Sequence, residues 1–180
     1  KTSPEVYRRA TALRPGTIER SADAWDSLAT DYPPYRGGAS AFFHVTFHGD
    51  EGNLDGYASY RINSGALKVD ELTSVTDDAH AALWRLCFDV DLTSSTAARQ
   101  RPVDDPMPWM LAEPGRLQRT PYDGLWVRLV DVPAALQRRT YLREGRIVLK
   151  VRDTFCPWNE GRYELEGGPA VRLTIASPAV

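Results

Sequence analysis

Apolar and polar positions alternate along this chain with a period that changes several times, and each change marks an element. Ser3 and Pro4 open a helical pattern that Pro15-Gly16 stops, since proline suits a first turn and Pro-Gly cannot continue a helix. Ser21 is placed as the N-cap of a second, short helix through Ala22, Trp25 and Leu28. The segment 31–40 carries Pro33-Pro34 and Gly37-Gly38, and reads as a flexible loop. Ala41 to His48 is rich in aromatic and β-branched residues and reads as a strand, turned at 49–53 into a second one through Tyr57 and Tyr60. In a third strand Leu67, Val69 and Glu71 alternate with Lys68, Asp70 and Leu72. The period then becomes helical: Ala79, Ala82, Leu83, Leu86, Cys87 and Val90 fall at i, i+3, i+4, i+7, i+8 and i+11 behind a Thr76 cap. That spacing predicts an amphipathic helix lying on the sheet.

The pattern loosens from Thr93 to Pro102, after which Asp104-Asp105-Pro106 offers an acidic cap and a first-turn proline for a short helix through Leu111. The run Leu125-Trp126-Val127-Arg128-Leu129-Val130-Asp131 is apolar on both its faces, as a central strand is, and is expected to close the first sheet. A helix starts at Pro133 and ends near Tyr141. Then Ile147, Leu149 and Val151, followed by Tyr163 and Leu165 and by Val171, Leu173 and Ile175, describe an antiparallel meander with glycine-bearing turns at Gly145, Asn159-Glu160-Gly161 and Gly167-Gly168. The fold class is therefore α+β: a mixed sheet flanked by helices over residues 1–131, then a smaller α+β unit over 132–180.

Charge and composition narrow the function. A net charge of −2 with few lysines argues against a general nucleic-acid binder, which carries a basic face. No apolar run reaches the ~18 residues that span a bilayer, and no targeting segment leads the chain, so no membrane association and a cytoplasmic location are expected, secretion not being excluded. Cys87 on an apolar helix face and Cys156 in a Cys-Pro-Trp-Asn loop read as reduced thiols rather than a disulfide pair. The chain opens on Lys1-Thr2-Ser3 and ends on a strand pattern, and reads as a piece of a longer protein.

Few residues offer chemistry of their own. His44 and His48 share one side of a strand, but no third ligand of suitable spacing follows, so no metal site is expected. His80 borders the polar face of its helix and is placed in solvent. Cys156 has no histidine partner in the sequence to activate it. Asp77-Asp78 and Asp104-Asp105 precede helical patterns and serve as N-terminal charges. Trp84 and Trp126 stand in apolar patterns and are placed in the core, whereas Trp25, Trp109 and Trp158 stand in polar surroundings that suit an interface or pocket wall. Asp131 ends an apolar strand where the two halves meet, and is the natural N-cap of the helix at Pro133.

A set of words runs in order through most of the chain: Arg14-Pro15-Gly16, Arg20 and Trp25, GYASYR at 56–61, VDEL at 69–72, ALWRL at 82–86 and Asp91-Leu92, then DDPMPWML at 104–111, DGLWVRLVDVPAAL at 123–136, RRTY at 138–141, VLKVRD at 148–153 and CPWNEGRYEL at 156–165. In that order and spacing the chain resembles the Eis-like (enhanced intracellular survival) GNAT N-acetyltransferases. The resemblance implies a parent of three pieces: a catalytic GNAT domain, a second GNAT domain without cofactor, and a domain with a sterol-carrier-protein-like fold. On this view the chain covers the second piece and the start of the third. The parent would transfer acetyl from acetyl-CoA to amines such as those of aminoglycosides or lysine side chains, using a tyrosine acid and a C-terminal carboxylate base that lie outside these residues. No catalytic residue is therefore expected here.

No cofactor is expected in this chain either. A working GNAT turn is glycine-rich and basic so that helix N-terminal amides can cradle pyrophosphate, whereas Thr73-Ser74-Val75-Thr76-Asp77-Asp78 carries two aspartates that would repel it. The resemblance further implies a wide acidic pocket for cationic amines, walled here by the carboxylate of Asp131 and the aromatic face of Trp25. The partners it implies are the remaining domains, further copies of the parent in a homo-oligomer, and a small-molecule or peptide amine. The rival reading is a non-enzymatic binding or scaffold module with a degenerate GNAT fold.

Overall fold

Phe43–His48 (β1), Leu54–Asn63 (β2), Ala66–Ser74 (β3) and Ser95–Ala98 (β4) hydrogen-bond in that order into one sheet. In a computed structural model of the chain, which describes residues 3–12, 14, 16–168 and, by backbone alone, 171–176, this sheet belongs to the first of two compact units, Lys1–Pro121. β1, β2 and β3 form an antiparallel meander, and β4 lies parallel to β3 over Ala66↔Ser95 to Val69↔Ala98. The parallel pair requires a crossover, which is the helix Asp77–Asp89 (α3). β4 lies in the stretch where the sequence pattern loosened. Its four residues, Ser-Thr-Ala-Ala, are too small to show a hydrophobic period.

Alternation divides the sheet residues between two faces. On one face α3 sets Leu83, Trp84 and Cys87 against Ala58, Tyr60, Leu67, Val69 and Leu72, and these form the buried core. The helix sits so close to β2 that Gly56 has no room for a side chain. A Cβ there would lie 2.9 Å from Leu83 Cδ1 and 3.2 Å from both Ala79 Cβ and the Thr73 carbonyl oxygen. Burial in this core pushes the Cys87 thiol up to about 11.

The helix Ser3–Ala12 (α1) packs on β2 and β3 and buries Val6. Pro15, the expected stop, lies outside the described residues, and α1 ends at Ala12. The second helix, Ala22–Ala29 (α2), begins as expected, with Ser21 Oγ accepting the Ala24 amide at 3.3 Å. The loop over 31–40 includes a 3-10 turn at Pro33–Tyr35. Asp31 accepts from Arg36 Nε at 3.0 Å and from the Phe42 amide at 3.1 Å, and pairs with Arg61 at 3.3 Å, so one carboxylate ties both loop ends to β2. A short helix, Met107–Met110 (α4), follows the Asp104-Asp105-Pro106 signal.

The second unit, Tyr122–Val180, carries the α-helix Val132–Gln137 (α5), a 3-10 turn at Pro157–Asn159, and the antiparallel strands Gly145–Val151 (β5), Gly161–Gly168 (β6) and Val171–Ala176 (β7). α5 stops at Gln137, short of Tyr141, whose hydroxyl turns back to donate to the Leu136 carbonyl at 3.2 Å. Leu125 to Val130 is not a strand, contrary to the pattern. No strand pairs with it among the described residues, and Trp126, expected in the core, is 82% exposed. The Cys-Pro-Trp-Asn loop holds this segment instead. Trp158 Nε1 donates to the Val130 carbonyl at 2.8 Å, and Asn159 Nδ2 to the Leu129 carbonyl at 3.2 Å. The Asn159 Oδ1 accepts the Val132 amide at 3.1 Å, and Arg128 pairs with Asp153. Asn159 is 1% exposed, and its bond from the Val132 amide is made away from water.

The seat of α3 on β2 gives a direct test. Gly56→Ala should destabilise the first unit by about 1–3 kcal/mol, the usual cost of adding a methyl to a filled contact, read as a lower denaturation midpoint with unchanged slope.

Candidate functional site

The polar centre of the first unit gathers where β3 runs into α3. β3 ends at Ser74, and Thr76 caps the helix: its Oγ1 accepts the Ala79 amide at 3.2 Å and its carbonyl accepts the His80 amide at 3.1 Å. Asp77 and Asp78 occupy the exposed first turn, where their charge complements the helix end.

One turn into α3, His80 is 5% exposed rather than solvated as the helical wheel implied. Its Nε2 lies 3.0 Å from Asp105 Oδ1 and its Nδ1 3.2 Å from Ser74 Oγ. With Nε2–H donating to the carboxylate, Nδ1 accepts the serine hydroxyl, which assigns the tautomer from the network. Asp105 is 6% exposed and hydrogen-bonded through both of its oxygens. Its Oδ1 also accepts the Met107 amide at 2.9 Å, and its Oδ2 accepts Arg101 Nε at 2.8 Å. Burial opposes the charged form, but the bonds from His80 and Met107 and the Arg101 charge outweigh it and hold the carboxyl well below its ordinary range. Arg101 NH1 donates in turn to the Leu72 carbonyl at 2.8 Å, on the side of β3 that β4 leaves open beyond Val69. Ser74, His80 and Asp105 thus stand in the order of a charge relay. The arginine on the carboxylate, the bonds to both of its oxygens and the burial give them the character of a structural lock.

Trp25 lies in a second cluster, against α1. The guanidinium of Arg20 sits 4.0 Å over the Tyr7 ring and 4.8 Å over the Trp25 ring, and pairs with Glu71 on β3 at 2.8 Å. Tyr7 meets Trp25 edge-on at 5.4 Å. One indole face therefore already holds a cation. Tyr57 is buried beside this group, and burial pushes its phenol up. Asp131 lies in the second unit, exposed, with Oδ1 accepting the Ala134 amide at 2.8 Å as the N-cap of α5. The structure thus surrounds Trp25 with Arg20, Tyr7 and Glu71, and gives Asp131 its capping bond; the two do not share a unit.

His44 and His48 are each engaged locally, with Ser59 Oγ at 2.8 Å and the Gly52 carbonyl at 3.2 Å, and no group of metal-ligating side chains forms among the described residues. Both cysteines are free thiols. Sequence reasoning missed the His80–Asp105–Arg101 network. Its available signal was the pairing of Arg101 with Asp105 at i, i+4 before Pro106.

Residues 16–131 match the family of the acetyltransferase (GNAT) domain, and residues 132–178 that of the sterol carrier protein domain. An uncharacterised N-acetyltransferase of Streptomyces avermitilis is 40% identical over 171 residues, covering 90% of this chain and 41% of that protein. The N-acetyltransferase Eis of Mycobacterium tuberculosis is 36% identical, covering 89% and 43% respectively. Among solved structures, Eis1 of Mycobacterium abscessus aligns with a TM-score of 0.70 at 27% identity, covering 96% of this chain and 44% of that one. The chain thus spans less than half the length of these relatives. No helix among the described residues is long and apolar enough to cross a membrane.

The buried carboxylate sets a pH window. Because Asp105 is held below its unfolded value of about 3.9, its contribution is complete above roughly pH 4 and is lost as the pH falls further. Asp105→Asn strands Arg101 and should cost about 3 kcal/mol at neutral pH. Melting temperatures of both proteins from pH 7 downward should differ by a constant gap to about pH 4 and then converge.

Proposed function

The chain belongs to the GNAT acetyltransferase family, and from that premise we propose that it shapes the substrate pocket and the assembly of an Eis-like N-acetyltransferase rather than carrying the transfer itself. GNAT acetyltransferases use acetyl-CoA as co-substrate. The observation that carries the reading is the start of α3. Its first turn carries two exposed aspartates and its Ala79 amide is already taken up by the Thr76 hydroxyl, so a pyrophosphate would meet negative charge where it needs donors. The open side of β3 next to that turn is filled by Arg101. These residues do not fit the cofactor, and no step through it is assigned to them.

Acetyl transfer needs an amine freed of its proton and a group that protonates the departing thiolate. Nothing in the network around His80 is placed for either task, since each of its acceptors is already engaged. What the chain offers a cationic amine is the exposed Asp131 carboxylate, which keeps one oxygen beyond its capping bond, with the half-buried Trp25 ring as the aromatic residue of this reading. Aminoglycoside or lysine amines are the substrate class this reading carries, and the rest of the parent, with further copies of it, are the partners. The exposed run Leu125 to Val130 supports an assembly role, because so continuous an apolar stretch is costly to leave in water.

Two measurements test this. Acetyl-CoA titrated into the 180-residue chain should give no resolvable binding heat, and a submillimolar affinity would overturn the claim. In the full-length enzyme, Asp131→Asn keeps the capping oxygen but removes the charge, so KM for a polycationic amine should rise with kcat and melting temperature nearly unchanged. An unaltered KM with a large fall in melting temperature would reduce Asp131 to its cap.

A further inference from the structure

Among the described residues the β4 side of β3 has no strand neighbour beyond Val69, because the chain leaves the sheet at Ala98 through a left-handed Gln100, φ 54°. Arg101 returns across that gap. Its planar fork meets two acceptors on different elements, Asp105 Oδ2 and the Leu72 carbonyl, each at 2.8 Å, and its Cζ stands 5.5 Å from the centre of the Trp84 ring. None of these three groups owes its position to Arg101. Asp105 is fixed through Oδ1 by His80 and the Met107 amide, Leu72 is paired with Ala58 in the sheet, and Trp84 is 4% exposed and stacked on Phe88 at 5.6 Å. The acceptors are therefore preorganised and would outlast the side chain that now fills the space between them.

We propose that Asp105, the Leu72 carbonyl and the Trp84 ring form a pre-built guanidinium site which the chain occupies with its own Arg101, so that withdrawing this side chain leaves a binding site for a free guanidinium cation. The arrangement selects by shape and charge together. A guanidinium presents paired donors in one plane to the carboxylate and the carbonyl while lying near an aromatic ring, whereas an ammonium is a point charge that cannot span the two acceptors in that way. Urea has the shape without the charge. With Arg101 removed, the Asp105 carboxylate is left buried and without its cation, which drives the uptake of one.

The test is rescue of Arg101→Ala. The variant should melt lower by roughly 5–10 °C, the loss of a buried ion-pair partner in a chain of this size. At tens of millimolar and matched ionic strength, methylguanidinium should restore at least half of that loss along a saturable curve. Methylammonium should restore less and urea none. Wild type, whose site is filled, should show no rise, nor should Arg101→Ala combined with Asp105→Asn. The absence of a saturable rise in the single variant, or an equal rise in the double variant, overturns the proposal. If Arg101→Ala does not fold alone, refolding yield with and without methylguanidinium gives the same reading: folded protein only with the cation supports the site, and none in either condition rejects it.

Discussion

A carboxylate is buried charged only when it is paired and hydrogen-bonded, and the first unit is organised around meeting that demand at Asp105. The bonds that satisfy it reach into α3 through His80, into α4 through the Met107 amide, and into β3 through Arg101 and the Leu72 carbonyl. Three elements, one of them arriving from beyond β4, are thereby fixed at one point. The satisfied network also leaves little for chemistry, because an acid or base needs a lone pair or proton to spare. The polar machinery that would look catalytic in another setting is turned inward here and spent on holding the fold.

Around that point the two faces of the sheet are treated differently. On the α3 face the contact is steric, with a glycine in β2 allowing the helix to come down onto the strand. On the α1 face the fastening is electrostatic and aromatic, with Arg20 stacked on Tyr7 and Trp25 and paired to Glu71.

Much of this was legible in the sequence. Strand alternation through 43–74, the apolar stripe of α3 and the caps at Ser21, Thr76 and Asp131 rest on local periodicity and hydrogen bonding, and all formed where the pattern put them. What escaped depended on contacts between distant residues. His80 lies at the edge of its helical wheel, and only the arrival of Asp105 from 25 positions on covers it. β4 has side chains too small to show a period and is recruited by the register of β3. The apolar run at 125–130 has the composition of a central strand, but composition cannot supply the neighbours a strand needs.

The grip of Asn159 on that run has a consequence for how the protein can be divided. The family match changes over between 131 and 132, yet the backbone that Asn159 reads lies on both sides of this point, at Leu129 and at Val132. A gene cut at the family boundary would deliver a sterol-carrier-type unit whose buried amide has kept its acceptor's partner and lost the carbonyl its donor binds, along with the one that Trp158 binds. The family boundary and the boundary of the compact unit are thus offset by about ten residues, the span from Tyr122 to Asp131. Shuffling in evolution and excision at the bench need not share a border.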